Sequence, residues 1–201
     1  MISQITICCM TSARCNFTQP NGFTLVETMV VIALLSILTA LAIPSLQDAM
    51  DRYRASAVYD ELRLTFVFAR SEAIRTRSRV IVQRTAGAGC ATVQEWQCGW
   101  FVYVDANGDG AQQISPPAVS EPSLRIVDSL AGGTVVNTFK GNQSQIIFDR
   151  WGNLTPLGAL RQVIVPRGNI SSLGVKTLCA SSGGRFRSID GDATQSACAN
   201  Q

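Results

Sequence analysis

Apolar residues run almost unbroken from Phe23 to Ile43, 21 positions that hold a single charge, Glu27. About 20 apolar helical residues cross a hydrocarbon core of ~30 Å, so this run is long enough to span a bilayer before Pro44 interrupts it. From Ser45 to about Arg77 the chain has no Gly or Pro. Within it Leu46, Met50, Tyr53, Ala57, Leu62, Leu64, Phe66, Val67, Ala69, Ala73 and Ile74 recur at mostly helical spacing. The spacing predicts that the helix continues as an amphipathic stem whose apolar face needs a sheet or a second helix to cover it. Between Leu62 and Ala69 the apolar stripe broadens, which argues against an independent coiled coil with its narrow seam.

After Arg79 the period changes to short strand-like runs: Val80–Arg84, Trp100–Asp105, Leu124–Ser129, Gln145–Phe148, Gln162–Val165 and Val175–Cys179. Clusters of Gly, Asn, Ser and Pro separate them, as hairpin turns do. The predicted class is α+β: a long N-terminal helix, with a membrane half over 23–44 and a stem over 45–78, packed on an antiparallel β head over 79–201. No internal repeat emerges.

Composition narrows the function. Apolar residues make up 46% and charged residues 15%, a balance for a buried core or a membrane segment rather than disorder. There is no histidine. That excludes Ser/His/Asp and Cys/His nucleophilic catalysis and zinc sites with imidazole ligands, and the protein is expected to have no enzymatic activity, cofactor or metal. The net charge of +3 comes from 17 basic and 14 acidic residues, and 15 of the basic ones are Arg, the side chain suited to bidentate contact with phosphate or carboxylate.

Glu27 lies in the first turns of the apolar run, where a carboxylate usually has a partner. The alternative is a carboxylate lying at headgroup level. Gly22-Phe23-Thr24-Leu25-Val26-Glu27 and the run behind it resemble the prepilin signature of type IV pilins and type II secretion pseudopilins. The resemblance implies a leader over 1–22, cleavage between Gly22 and Phe23 by an inner-membrane prepilin peptidase, and methylation of the new amino group. It also implies pairing of Glu27 with the N-terminus of a neighbouring pilin during assembly, and a helix loosened at Pro44, which lacks an N–H. The leader departs from the short, basic form common in the family; starting at Met10 would shorten it to 13 residues. Cys8, Cys9 and Cys15 would leave with it in either case.

Four cysteines remain, Cys90, Cys98, Cys179 and Cys198. Three pairings are open to them, and adjacency favours Cys90 with Cys98 and Cys179 with Cys198 in an oxidising compartment. Asp105-Ala106-Asn107-Gly108-Asp109-Gly110 places oxygen ligands at alternating positions, as a calcium loop does. The closing Glu would fall at Pro116, so an ordinary hairpin turn is the expectation.

The segment Ala69-Arg70-Ser71-Glu72-Ala73-Ile74, then Gly99-Trp100-Phe101-Val102-Tyr103-Val104-Asp105, resembles the FimT/GspH group of minor pilins and pseudopilins. Near the C-terminus stands Gly183-Gly184-Arg185-Phe186-Arg187. In an extended strand Arg185 and Arg187 share a face, about 7 Å apart at a rise of roughly 3.3 Å per residue, with Phe186 turned inward. That spacing is comparable with successive phosphates on one DNA strand. Residues 140–189 hold seven basic residues against Asp149 alone. The other reading is two surface arginines that discourage edge pairing. Gly184-Arg185-Phe186-Arg187 resembles the Gly-Arg-x-Arg motif of FimT-type minor pilins that bind DNA for uptake in natural transformation. This implies non-specific DNA binding by Arg185 and Arg187, assisted by Arg161, Arg167 and Lys176. It also implies a single-pass inner-membrane protein with a periplasmic head that reaches the pilus or cell surface. The alternative is a GspH-like structural subunit for pilus priming or type II secretion, without DNA binding.

Overall fold

The computed structural model describes residues 22–87, 90, 92–114, 120–129, 134–138, 144–155, 160–166, 174–191 and 198. The expected leader up to Asn21 therefore lies outside the described residues. One helix, α1 (Leu25–Thr76), carries both the apolar run and the stem, with Pro44 inside it and no break in the helix there. Its N-terminal part is long and apolar enough to cross a membrane. The chain divides into two compact units, one ending at Ala42 and the other covering Ile43–Gln201.

Among the described residues nine strands follow in the second unit: β1 (Arg79–Arg84), β2 (Trp100–Asp105), β3 (Ser123–Val127), β4 (Val135–Thr138), β5 (Gln145–Phe148), β6 (Leu154–Thr155), β7 (Leu160–Val165), β8 (Lys176–Ala180) and β9 (Phe186–Asp190). They form two antiparallel sheets, ordered β3-β2-β1-β5-β6 and β4-β7-β8-β9. The expected α+β class, a long helix packed on an antiparallel β head, is the architecture observed, with the strands of the head divided between two sheets. The stem of α1 buries Ala55, Val58, Tyr59, Leu62, Phe66, Ala69 and Ala73 in one core with residues of both sheets. Phe66 bridges them, its ring centroid 6.5 Å from Phe148 of β5 and 5.8 Å from Phe186 of β9. Thr65 donates to the Glu61 carbonyl at 2.8 Å and accepts the Trp100 indole N–H at 3.1 Å, so this buried hydroxyl is satisfied twice.

The covered face of the stem differs from the expected stripe. Leu46, Met50, Tyr53, Leu64, Val67 and Ile74 are exposed, and Ala55, Val58 and Tyr59 take the interior. Small residues at 55, 69 and 73 let the strands approach the helix closely, so alanines define the packed face as much as large side chains do.

Candidate functional site

The β8–β9 hairpin carries the arginine motif. Cys179 stands opposite Arg187 and Ala180 opposite Phe186, and the Ser181 amide closes the hairpin on the Arg185 carbonyl at 3.0 Å. Phe186 stacks on Phe66 and is partly buried, as the alternation predicts, while Arg185 and Arg187 are exposed. Gly184 has φ +71°, and a Cβ there would come within 2.8 Å of the Gly152 carbonyl oxygen and 2.9 Å of Arg70 Nε. Arg70 on α1 donates through Nη1 to the Gly184 carbonyl at 3.0 Å. The motif glycine is therefore required by a close approach of three elements, and Arg70 positions the hairpin from beneath.

The neighbouring turn, between β5 and β6, is organised by Asp149. Its Oδ1 accepts the amides of Trp151 and Asn153 at 2.9 and 2.8 Å, a local arrangement that Asp favours in turns. Arg150 lies over the Trp151 ring at 4.9 Å, and the ring is largely exposed. The two turns touch through Gly152 and Gly184, and the Leu154 amide donates to Ser182 at 2.8 Å. Arg70 and Trp151 were not singled out as site residues from the sequence. An Arg on the stem and an Asp-Arg-Trp-Gly turn were the available signals.

The assisting cations fare unequally. Arg161 is 4% exposed in β7, a strand flanked by β4 and β8 with all six residues buried, so its expected place on a phosphate-binding surface is corrected. Lys176 lies 3.7 Å from Asp190 and over the Tyr59 ring at 5.6 Å, so Asp190 engages this lysine. Arg167 lies outside the described residues. Both disulfides join the neighbours expected, Cys90 with Cys98 and Cys179 with Cys198.

The Asp105–Gly110 turn is closed by its own contacts. Arg79 binds Asp105, whose Oδ1 also accepts the Gly108 amide at 2.8 Å. The Ala111 amide holds the Asp109 carboxyl below the usual carboxylate range. Buried Glu121 accepts the Ala106 amide at 2.8 Å and anchors the loop. At the start of α1, Thr24 Oγ1 accepts the Glu27 amide at 3.2 Å as an N-cap, and Gly22, Phe23 and Glu27 are all exposed.

Residues 59–194 match the family model described as type II transport protein GspH, and residues 19–43 match the prokaryotic N-terminal methylation motif. A 45-residue stretch is 48% identical to the fimbrial protein EcpB of Eikenella corrodens, covering 22% of this chain and 28% of that protein. Among solved structures, the type IV minor pilin FimU of Pseudomonas aeruginosa superposes with TM-scores of 0.54 and 0.52 in two crystal forms. Identity is 21% and 20%; 72% and 70% of this chain is covered, and 95% and 97% of FimU. The likeness to FimU shows the fold, a helix packed on an antiparallel β head. The chain belongs to the GspH family, the pilin-like class of minor pilins and pseudopilins.

Proposed function

We propose that this minor pilin binds DNA without sequence preference through Arg185 and Arg187 and supports DNA uptake in natural transformation, as the FimT-type resemblance implies. The observation that carries this reading is the geometry of the hairpin. Phe186 is anchored on Phe66, and the arginines on either side of it are exposed. Among the described residues neither is in an ion pair, whereas Lys176 has Asp190. Cleavage before Phe23 and pairing of Glu27 with a neighbouring subunit put the protein, in this reading, in the inner membrane with a periplasmic head, then in a pilus. Two disulfides suit that oxidising compartment. The head performs no catalysis. Binding rests on phosphate contacts, so affinity falls steeply with salt and is in the micromolar range or weaker for one subunit. Several heads on one filament raise avidity.

The test is a DNA titration of the detergent-solubilised protein at two salt concentrations. Arg185→Gln with Arg187→Gln should weaken binding and flatten the salt dependence; binding equal to the parent's sinks the assignment. A second reading, a structural subunit for pilus priming or type II secretion, is favoured by the GspH family match and by the exposed apolar side of the stem, which suits packing against other subunits. Under it, the same double variant leaves function intact.

A further inference from the structure

The turn between β5 and β6 holds an aromatic ring that the arginine pair does not account for. Trp151 is 67% exposed, whereas the other two tryptophans, Trp96 and Trp100, are fully buried, 6.4 Å apart. Hydrogen bonds to Asp149 fix the backbone under the ring, and the Arg150 guanidinium covers one ring face. The same turn borders a cleft of about 390 Å³ that Arg77 and Arg79 also line. Its two carboxylates are engaged: Asp105 by Arg79 and the Gly108 amide, Asp149 by its own turn. Arg150 over the ring and Arg77, which lines the same cleft as Trp151, remain as exposed cations.

This platform adjoins the arginine hairpin. Trp151 immediately precedes Gly152 and Arg185 immediately follows Gly184, and those two glycines are in contact. An exposed indole, a guanidinium stacked on it and further cations alongside make up the chemistry that holds single-stranded nucleic acid. Phosphates meet the cations and a base lies on the ring. In a duplex the base faces are stacked on one another and closed to such a ring.

We propose that Trp151 is a nucleobase-stacking platform, flanked by Arg150 and Arg77, and that the head takes DNA as a single strand. This rests on the reading that the head binds DNA. Because Trp96 and Trp100 are buried, quenching of tryptophan emission reports Trp151 directly.

The experiment titrates the full chain in detergent with oligothymidylate and with a duplex of the same length. The single strand should quench tryptophan emission and the duplex should not. Trp151→Ala should weaken single-strand affinity at least about fivefold and duplex affinity by less than about twofold, with Trp151→Phe retaining most of it. Unchanged single-strand affinity in Trp151→Ala, with both affinities lowered by Arg185→Gln and Arg187→Gln, overturns the platform and leaves the DNA reading standing. Loss at Trp151→Ala with no effect of the arginine pair supports the platform and displaces the arginines. Impaired filament assembly without a change in DNA affinity overturns the proposal and makes the ring a subunit contact.

Discussion

Arg70 on the stem helix donates to the carbonyl of Gly184, 114 positions away in sequence, and its side chain lies against both Gly152 and Gly184. One long side chain thus fixes two turns from opposite sheets against α1.

Alanine at Gly184 should therefore be far worse than at Gly183. Gly184 combines φ +71° with a Cβ clash against the Gly152 carbonyl, whereas a Cβ at Gly183 meets nothing within 4 Å. Backbone strain of this kind costs on the order of 1–3 kcal/mol. Thermal melting of the two variants checks it: Gly184→Ala should melt well below the parent, Gly183→Ala close to it. Under the proposed DNA-binding function, Arg70→Ala should also weaken DNA affinity although Arg185 and Arg187 are untouched.

Phe66→Ala should be among the most damaging changes in the head. It empties a site touched by Phe148 and Phe186, at about 3–5 kcal/mol for a buried Phe. Thr65→Val strands the Trp100 indole N–H, at about 1–3 kcal/mol. Denaturant midpoints measure both, and equal midpoints for Phe66→Ala and the parent would contradict the shared core.

Tyr103 supplies a pH dependence. Burial, then the nearby Asp105 carboxylate, pushes its phenol up to about 12. The native state thus holds the proton more tightly than the unfolded chain, whose phenol titrates near 10. The resulting stability is complete below about pH 10 and is lost as pH rises through about 12. Phenolate absorbance should show a late-titrating phenol that is missing from Tyr103→Phe, and that variant should lose this component of the alkaline destabilisation.

The strands Trp100–Asp105 and Gln145–Phe148 are legible in the sequence as short apolar runs bounded by turn residues. So are the disulfide partners and the inward turn of Phe186. β4 and β6 are not. β6 is two residues long, and β4 is defined by its pairing with β7, a relation no local pattern carries. The stem stripe was misjudged because apolar identity cannot say which side of a helix two sheets will cover; Tyr53 went to solvent and Ala55 to the core. Arg161 was misplaced for a related reason. A charge in a strand reads as surface unless the strand lies inside its sheet, and β7 does. The place of Arg70 in the site is not legible in the sequence, because it depends on two glycines distant along the chain.

At the other end of the chain, Glu27→Ala should leave membrane insertion intact and abolish filament assembly. Electron microscopy of filaments together with membrane fractionation tests this. Mass spectrometry of the mature protein should find methylated Phe23, and a retained leader would contradict the processing.

The stacking of Phe186 on Phe66 has a mechanical consequence. On the proposed DNA-binding reading, tension on a strand held at Arg185 and Arg187 enters the residue between them. It passes through that ring contact, and through the Arg70–Gly184 hydrogen bond beside it, straight into α1. The β8–β9 ladder is thereby relieved of carrying the whole load, and a pull on the hairpin becomes a pull on the helix.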